Sequence, residues 1–237
     1  MSFEVARREM RARFAEAFSL LVHLREISPA PLTPSNDIIK SLRGLWLVSI
    51  YGAIERSVNA ATEAAITTIT DHQPKSIDCR PPLHTIFHFS KIQPLNGCSK
   101  RDMFSKSKEL LEVSHGDSPL ALNDNPLSEN LQNVDVRTMS WVLSLFGAPE
   151  MKVNPASAGR INTLRERRNA LAHGREGAAQ VGETYELNEL ENIYKAADEV
   201  VTAFLETLDQ HCTEKGYRRR SFRRPPSPKS PKSISLA

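Results

Sequence analysis

Apolar residues recur at intervals of three and four along most of this chain, which is the spacing of helices that bury one face. The clearest stripe lies between residues 187 and 212 and consists of Leu187, Leu190, Tyr194, Ala197, Val201, Phe204 and Leu208. In one helix of this length such a stripe is typical of a bundle core, although a coiled-coil seam has the same spacing. The same periodicity predicts five further helices, over residues 2–26, 35–70, 100–114, 136–145 and 156–173.

The second predicted helix is the longest. Ser35 or Asn36 is suited to cap its start, because both side chains accept hydrogen bonds from backbone N–H groups. Its predicted core positions are Ile38, Leu42, Leu45, Ile50, Ile54, Val58 and Ala61. Gly44 and Gly52 are predicted points of close approach by a neighbouring helix, since glycine carries no side chain.

The segment 74–132 does not follow the helical pattern throughout. Prolines and a glycine interrupt residues 74–100, and residues 117–132 are polar and loop-like. The nearest candidate for a strand, residues 83–90, is short and isolated. We therefore expect an all-α domain over residues 1–215, a bundle of four to six main helices with 74–132 as an irregular insertion. The sequence leaves open whether this insertion selects a substrate or only packs against the bundle.

Positive charge is concentrated at the C-terminus. Residues 218–237 contain seven lysines and arginines and no acid, so the chain's net charge of +3 leaves about −4 on residues 1–217. Repeated prolines and little apolar surface predict a disordered basic tail over residues 216–237. Its candidate RNA-binding residues are Arg218, Arg219, Arg220, Arg223 and Arg224. Such charges bind nucleic-acid phosphates, although a solubilising end with no dedicated target is the alternative.

The most informative stretch is residues 165–174, at the end of a predicted helix. It carries Arg165, Arg168, Asn169 and His173, and Gly174 follows as the expected helix cap. Arginine can hold a phosphate with two parallel hydrogen bonds, and histidine exchanges a proton near neutral pH. Because a helix turns about 100° per residue, Asn169 and His173 share a face, whereas Arg168 lies roughly 140° from His173. This pair is chemically sufficient to cleave RNA, and the alternative is a helix end with surface charges.

The run Arg168–His173 resembles the R-x4-H motif of HEPN domains, including the polar residue after the arginine that the nuclease members favour. Residues 45–55 resemble the second long helix of HEPN proteins from bacterial toxin and abortive-infection loci, and residues 133–136 and 146–147 resemble their flanking segments. The resemblance, over about residues 1–215, implies an all-α bundle that dimerises so that two motifs face each other. It also implies metal-independent RNA cleavage in active members and RNA binding without cleavage in others.

The sequence hypothesis is therefore a metal-independent endoribonuclease with Arg168, Asn169 and His173 as catalytic residues and Arg165 as an RNA contact. Arg168 would hold the scissile phosphate, His173 would transfer the proton, and Asn169 would orient His173 or contact a phosphate. The products would be a 2′,3′-cyclic phosphate and a 5′-OH, and no cofactor is required because the nucleophile belongs to the RNA. Expected partners are RNA and a second copy of the chain, and an antitoxin protein is a further candidate. A non-catalytic RNA-binding or scaffolding module is the alternative.

Two further groups of residues have competing explanations. Cys79, His84, His88 and Cys98 are zinc-ligand types, but they lack the C-x2–4-C spacing usual in structural zinc sites, so we predict no metal. Residues 55 and 56, a glutamate and an arginine, either line the same cavity as the motif or form a surface pair, and we favour the surface pair.

Several protein classes are disfavoured by the rest of the sequence. It contains no GxGxxG, GxxxxGK[ST] or GxSxG motif, so nucleotide-binding folds of these types and serine hydrolases have no support. Three scattered cysteines favour a reducing compartment over a disulfide framework. There is no apolar run of membrane-spanning length, and the N-terminus is charged from its first residues, so we expect a cytoplasmic protein without a membrane partner.

Overall fold

A computed structural model describes residues 1–29 and 35–219, which form nine α-helices joined by turns and loops. The helices are α1 (Phe3–Ile27), α2 (Asp37–Asp71), α3 (Pro81–Phe87), α4 (Phe89–Ile92), α5 (Lys100–Ser114), α6 (Val136–Phe146), α7 (Pro155–Ala172), α8 (Ala178–Glu183) and α9 (Leu187–Thr213). Short 3-10 turns lie at Ser76–Asp78, Gln93–Leu95 and Ser128–Leu131. Within these residues β-structure is limited to two isolated bridges. The prediction of an all-α fold is confirmed, and the strand candidate at 83–90 is helical.

Polar side chains cap the helices that position the motif. The Asn36 side chain accepts a hydrogen bond from the backbone N–H of Ile39 at the start of α2. Of the two predicted capping residues, Asn36 is therefore the one that caps this helix. Asp135 caps α6 through the backbone N–H of Thr138, and Asn154 caps α7. These bonds satisfy N–H groups that have no partner inside the helix, so each helix begins at a defined residue.

The 35-residue helix α2 is the centre of the bundle and packs against α1, α7, α8 and α9. Trp46 is buried between α2 and α1, where its indole Nε1 donates to the carbonyl of Ala17 at 2.8 Å. Of the predicted core positions, Ile50, Ile54, Val58 and Ala61 are fully buried.

The prediction is wrong for the other three core positions of α2, which are exposed. The exposed fractions of Ile38, Leu42 and Leu45 are 71%, 36% and 55%. Trp46 and Leu47 are buried in this part of the helix instead. The first half of α2 is apolar on most of its sides, so the spacing of apolar residues alone does not decide which face meets the neighbouring helices.

The short helix α8 lies against the first half of α2, and the sequence pattern did not predict it. A Cβ atom added at Gly44 would overlap the carbonyl of Ala178, and one added at Gly182 would overlap the carbonyl of Lys40. The predicted close approach at Gly44 is therefore confirmed. The same prediction is wrong for Gly52, because no atom lies within 4 Å of a Cβ built there.

The first residues of the predicted tail pack against the domain, which corrects its start at residue 216. Tyr217 is fully buried, and its hydroxyl lies 2.8 Å from Nδ1 of His72 at the end of α2. The backbone of Arg80 donates to the Tyr217 carbonyl, and the Arg219 backbone donates to that of Asp78, each at 2.8 Å. Burying one aromatic ring favours ordering these few residues. Residues 220–237 lie outside the described part of the chain.

Among the helices of residues 1–29 and 35–219, none combines the length and the apolar character that crossing a membrane requires.

Candidate functional site

The Arg168 side chain of α7 lies between α2 and the loop that precedes α6. Its Nη2 donates to the Glu55 carboxylate and to the carbonyl of Gln132 at 3.1 Å, and its Nη1 donates to the Asn169 side chain at 3.0 Å. The guanidinium carbon is 4.3 Å from the centre of the Tyr51 ring, a cation–π contact. Only 18% of the Arg168 side chain is exposed. The guanidinium is therefore held in one position and is already paired with a carboxylate.

A small polar network fixes the position of Asn169. Its side-chain nitrogen donates to the Asn133 side chain at 3.1 Å. The Tyr51 hydroxyl donates to the Val134 carbonyl at 2.8 Å and lies 3.4 Å from the same Asn133 oxygen. Asn169 is thus tied to the loop before α6 and to Arg168, and its side chain does not bond to His173. Only its backbone carbonyl does so, accepting from the His173 N–H at 3.1 Å.

Arg165 lies one turn earlier on α7 and forms an ion pair with Asp135. Asp135 is buried and also caps α6. Although burial alone raises the pKa of Asp135, hydrogen bonds from Thr138 and the charge of Arg165 lower it below its ordinary value. The predicted RNA contact at Arg165 is therefore engaged in joining α7 to α6, with 28% of its side chain exposed.

His173 follows the last residue of α7 and is exposed. Gly174 adopts a left-handed conformation (φ +64°) that ends the helix, as the sequence predicted. No side chain among the described residues hydrogen-bonds to the His173 ring. Arg168 points toward α2 and His173 toward solvent, so one protomer holds the guanidinium and leaves the imidazole open.

The electrostatics of the site centre on Glu55. Burial raises the pKa of Glu55 to about 7, although the charge of Arg168 and its hydrogen bond lower it. Burial also raises the pKa of Tyr51, with the nearby Glu55 adding to the effect, so this phenol stays neutral at physiological pH. A carboxylate with a pKa near neutrality thus lies in contact with the motif arginine.

Among models of known protein families, that of RiboL-PSP-HEPN matches residues 8–212. The chain belongs to this HEPN family. No curated protein and no solved structure matches it. Membership indicates a nuclease or an RNA-binding module, and HEPN domains commonly bind RNA and dimerise.

The surroundings of Arg168 include residues that the sequence analysis did not assign to the motif. The favoured surface pair between Glu55 and Arg56 is wrong, because Glu55 binds Arg168 and Arg56 pairs with Glu9 of α1. Tyr51 precedes Glu55 by four residues and therefore shares its face of α2, a spacing that could have signalled both together. Gln132 contributes only a backbone carbonyl, for which the sequence carries no signal.

Two of the arginines predicted in the tail, Arg218 and Arg219, lie far from this site. Arg219 binds the Cys79 carbonyl through Nε at 2.8 Å, near the C-terminal end of α2. Arg218 is half-buried beside it and forms a β-bridge with Cys79. That end of α2 is about 25 Å from Glu55 at the usual helical rise. Arg220, Arg223 and Arg224 lie outside the described residues.

The zinc alternative finds no support in the HEPN structure. The His84 and His88 rings stack with centroids 5.4 Å apart, and both lie beside the buried hydroxyl of Ser76. Cys79 donates to the carbonyl of Lys75, and Cys98 lies in the turn after residue 95. Across residues 1–29 and 35–219, no three histidine, cysteine or acidic side chains converge to hold a metal ion.

Proposed function

We propose that this HEPN protein is a metal-independent endoribonuclease. The observation that supports the proposal is the motif helix, which holds the partly exposed Arg168 side chain in place and is followed by the exposed His173 imidazole. One group can neutralise a phosphate and the other can transfer a proton.

The proposed reaction uses the 2′-OH of the RNA as the nucleophile. His173 accepts the 2′-OH proton, or donates a proton to the departing 5′-oxygen. Arg168 stabilises the negative charge that accumulates on the phosphorus oxygens in the transition state. The products are a 2′,3′-cyclic phosphate and a 5′-OH. DNA lacks the 2′-OH and is therefore not a substrate.

A homodimer is proposed to complete the site, because the two groups of one protomer point in different directions. Ile38, Leu42, Leu45 and Val48 form an exposed apolar stripe on α2. The stripe continues in helical spacing to Glu55, the partner of Arg168. A second copy packed on this stripe would bring the two motif helices close together, and an apolar face of this kind is typical of an interface.

The experiment that tests the nuclease is His173→Ala. Because His173 is exposed, the variant should keep the wild-type unfolding midpoint. Loss of a general acid or base should reduce the cleavage rate by about a hundred- to ten-thousand-fold. RNA is incubated with each protein in EDTA, and the products are analysed for cyclic-phosphate ends. The control is His23→Ala, which removes another exposed imidazole on α1 and should cleave at the wild-type rate. Equal rates for His173→Ala and the parent protein would refute the mechanism.

A non-catalytic RNA-binding or scaffolding module is the second candidate. The observation that favours it is the Arg168–Glu55 ion pair, which leaves the motif arginine occupied. In this case the protein binds RNA in EDTA without producing new ends. A chain that ends at residue 219 would then lose most of its affinity, because residues 220–237 carry five lysines and arginines and no acid.

The biological setting is also part of the proposal. The resemblance of residues 45–55 to HEPN proteins of toxin and abortive-infection loci favours a toxin–antitoxin or defence role in the cytoplasm. An antitoxin protein that covers the motif would then keep the nuclease silent.

A further inference from the structure

We propose that Glu55 is a positioning residue that controls when Arg168 can bind a phosphate. In the free protein the Glu55 carboxylate occupies the guanidinium, and on RNA binding a backbone phosphate replaces it. The inference rests on the proposed function only in taking an RNA phosphate as the ligand of Arg168.

The hydrogen bonds of Arg168 explain why the two anions compete. A bidentate grip on a phosphate uses two adjacent N–H groups of the guanidinium. Both Nη atoms of Arg168 already donate, one to Glu55 and Gln132 and the other to Asn169. Among these three acceptors only Glu55 is charged, so it is the one that repels an incoming phosphate. A phosphate can approach, because 18% of the Arg168 side chain and 23% of the Glu55 side chain are exposed.

Release of Glu55 is linked to a proton. Burial raises the pKa of Glu55 to about 7, and this value already includes the opposing effect of Arg168. When a phosphate replaces Glu55 on Arg168, the carboxylate loses its positive partner and gains a negative neighbour. Both changes favour protonation, so Glu55 takes up a proton from solvent as the phosphate binds.

The charged neighbours of Glu55 do not supply the same pH dependence. On the α7 side, Glu55 faces Arg168, and Arg165 acts on the same Tyr51 ring. An arginine side chain carries its charge throughout the physiological pH range and so adds no pH dependence. The Asp135 carboxylate of the α6 loop is paired with Arg165, and its pKa lies below the ordinary value. The raised pKa keeps the Tyr51 phenol neutral.

Toward α1, the next residue of α2 is also paired. Arg56 lies 3.5 Å from the Glu9 carboxylate, so the charges on that side of α2 neutralise each other. Among these charged and phenolic groups around Arg168, Glu55 is therefore the one that titrates near neutral pH.

The test measures binding of a 2′-O-methyl RNA oligonucleotide, which cannot be cleaved, by fluorescence anisotropy between pH 5.5 and 8.5. The full-length wild-type protein should bind more tightly as the pH falls through 7, by up to about tenfold per pH unit above that value. Glu55→Gln should bind at pH 8 as tightly as the wild type does at pH 6, and should lose this part of the pH dependence. The matched control is Glu166→Gln, which removes an exposed acid of the motif helix and should leave the pH dependence unchanged.

Two further results decide whether Glu55 acts through Arg168. The affinity gained by Glu55→Gln at pH 8 should disappear in the double variant Glu55→Gln/Arg168→Ala. If Glu55→Gln keeps the wild-type pH dependence, or binds more weakly at every pH, the ion pair is only structural and the inference is wrong. The assay needs no cleavage, so a protein that binds as described but does not cut RNA refutes the nuclease and leaves the role of Glu55 standing.

Discussion

At the scale of single residues, Glu55 also determines the sign of a stability change with pH. Its pKa is about 7 in the folded protein, against 4.5 for an ordinary glutamate. At pH values between 4.5 and 7, the Glu55 carboxyl group keeps its proton in the folded state but has released it in the unfolded state. The contribution of Glu55 to stability is therefore fully present below pH 4.5 and is lost as the pH rises through 7.

The corresponding prediction compares the wild type with Glu55→Gln, which cannot titrate. The stability of the wild type relative to the variant should fall by about 3 kcal/mol between pH 4.5 and 8, since each unit of pKa shift corresponds to about 1.4 kcal/mol. Urea unfolding of both proteins at pH 5, 6, 7 and 8 measures this difference. A constant difference across the series would mean that Glu55 ionises as an exposed glutamate does.

The sequence identified one half of this residue-level arrangement. Arg168, Asn169 and His173 could be chosen because they form a short motif at a helix end. For Glu55 the sequence leaves two alternatives, a place in the cavity of the motif or a surface pair with Arg56, and the favoured surface pair is wrong. Its contact with Arg168 joins residues 113 positions apart, and no local pattern encodes such a distance.

At the scale of helices, the sequence predicted the long elements well and the contacts between them less well. The six predicted helices all exist, with ends displaced by a few residues at most. The helix α8 has six residues, too few for an apolar stripe to repeat. Its position depends on Gly182 meeting the backbone of α2, which is a property of the pair of helices and not of either sequence alone.

Gly182→Ala therefore tests the packing of α8 on α2. Alanine favours a helix over glycine, but its Cβ would overlap the carbonyl of Lys40, so we expect a loss of about 1–3 kcal/mol in the free energy of unfolding. The matched control is Gly159→Ala in α7, where the added Cβ meets no atom within 4 Å. This second variant should be more stable than the parent by up to about 1 kcal/mol. Thermal or urea unfolding of the two variants measures whether each substitution lowers or raises the free energy of unfolding. Equal effects would mean that α8 does not pack closely on α2.

At the scale of the whole molecule, the misassigned face of α2 and the proposed dimer share one explanation. Ile38, Leu42 and Leu45 follow the spacing of buried residues but are exposed in the single chain. A second copy on this face would bury them, and the pattern would then describe the assembly instead of the protomer. The spacing of apolar residues cannot distinguish side chains that are buried within one chain from side chains that are buried between two copies, because both kinds of contact use the same residue types.

Leu45→Glu tests this explanation, because more than half of the Leu45 surface is exposed in the protomer and the folded chain has room for a carboxylate. In an apolar dimer interface the same charge would lose its water, so we expect the dissociation constant to rise by at least about 30-fold. RNA cleavage should fall with the dimer fraction and recover at high protein concentration. Leu111→Glu is the matched control, since Leu111 is equally apolar and 59% exposed but lies on α5, which packs mainly against the 74–132 segment. Sedimentation velocity and cleavage are measured over the same concentration series. A monomeric wild-type protein that cleaves RNA would refute the proposed dimer. A Leu45→Glu variant that dimerises like the parent would mean that the two copies meet at another surface.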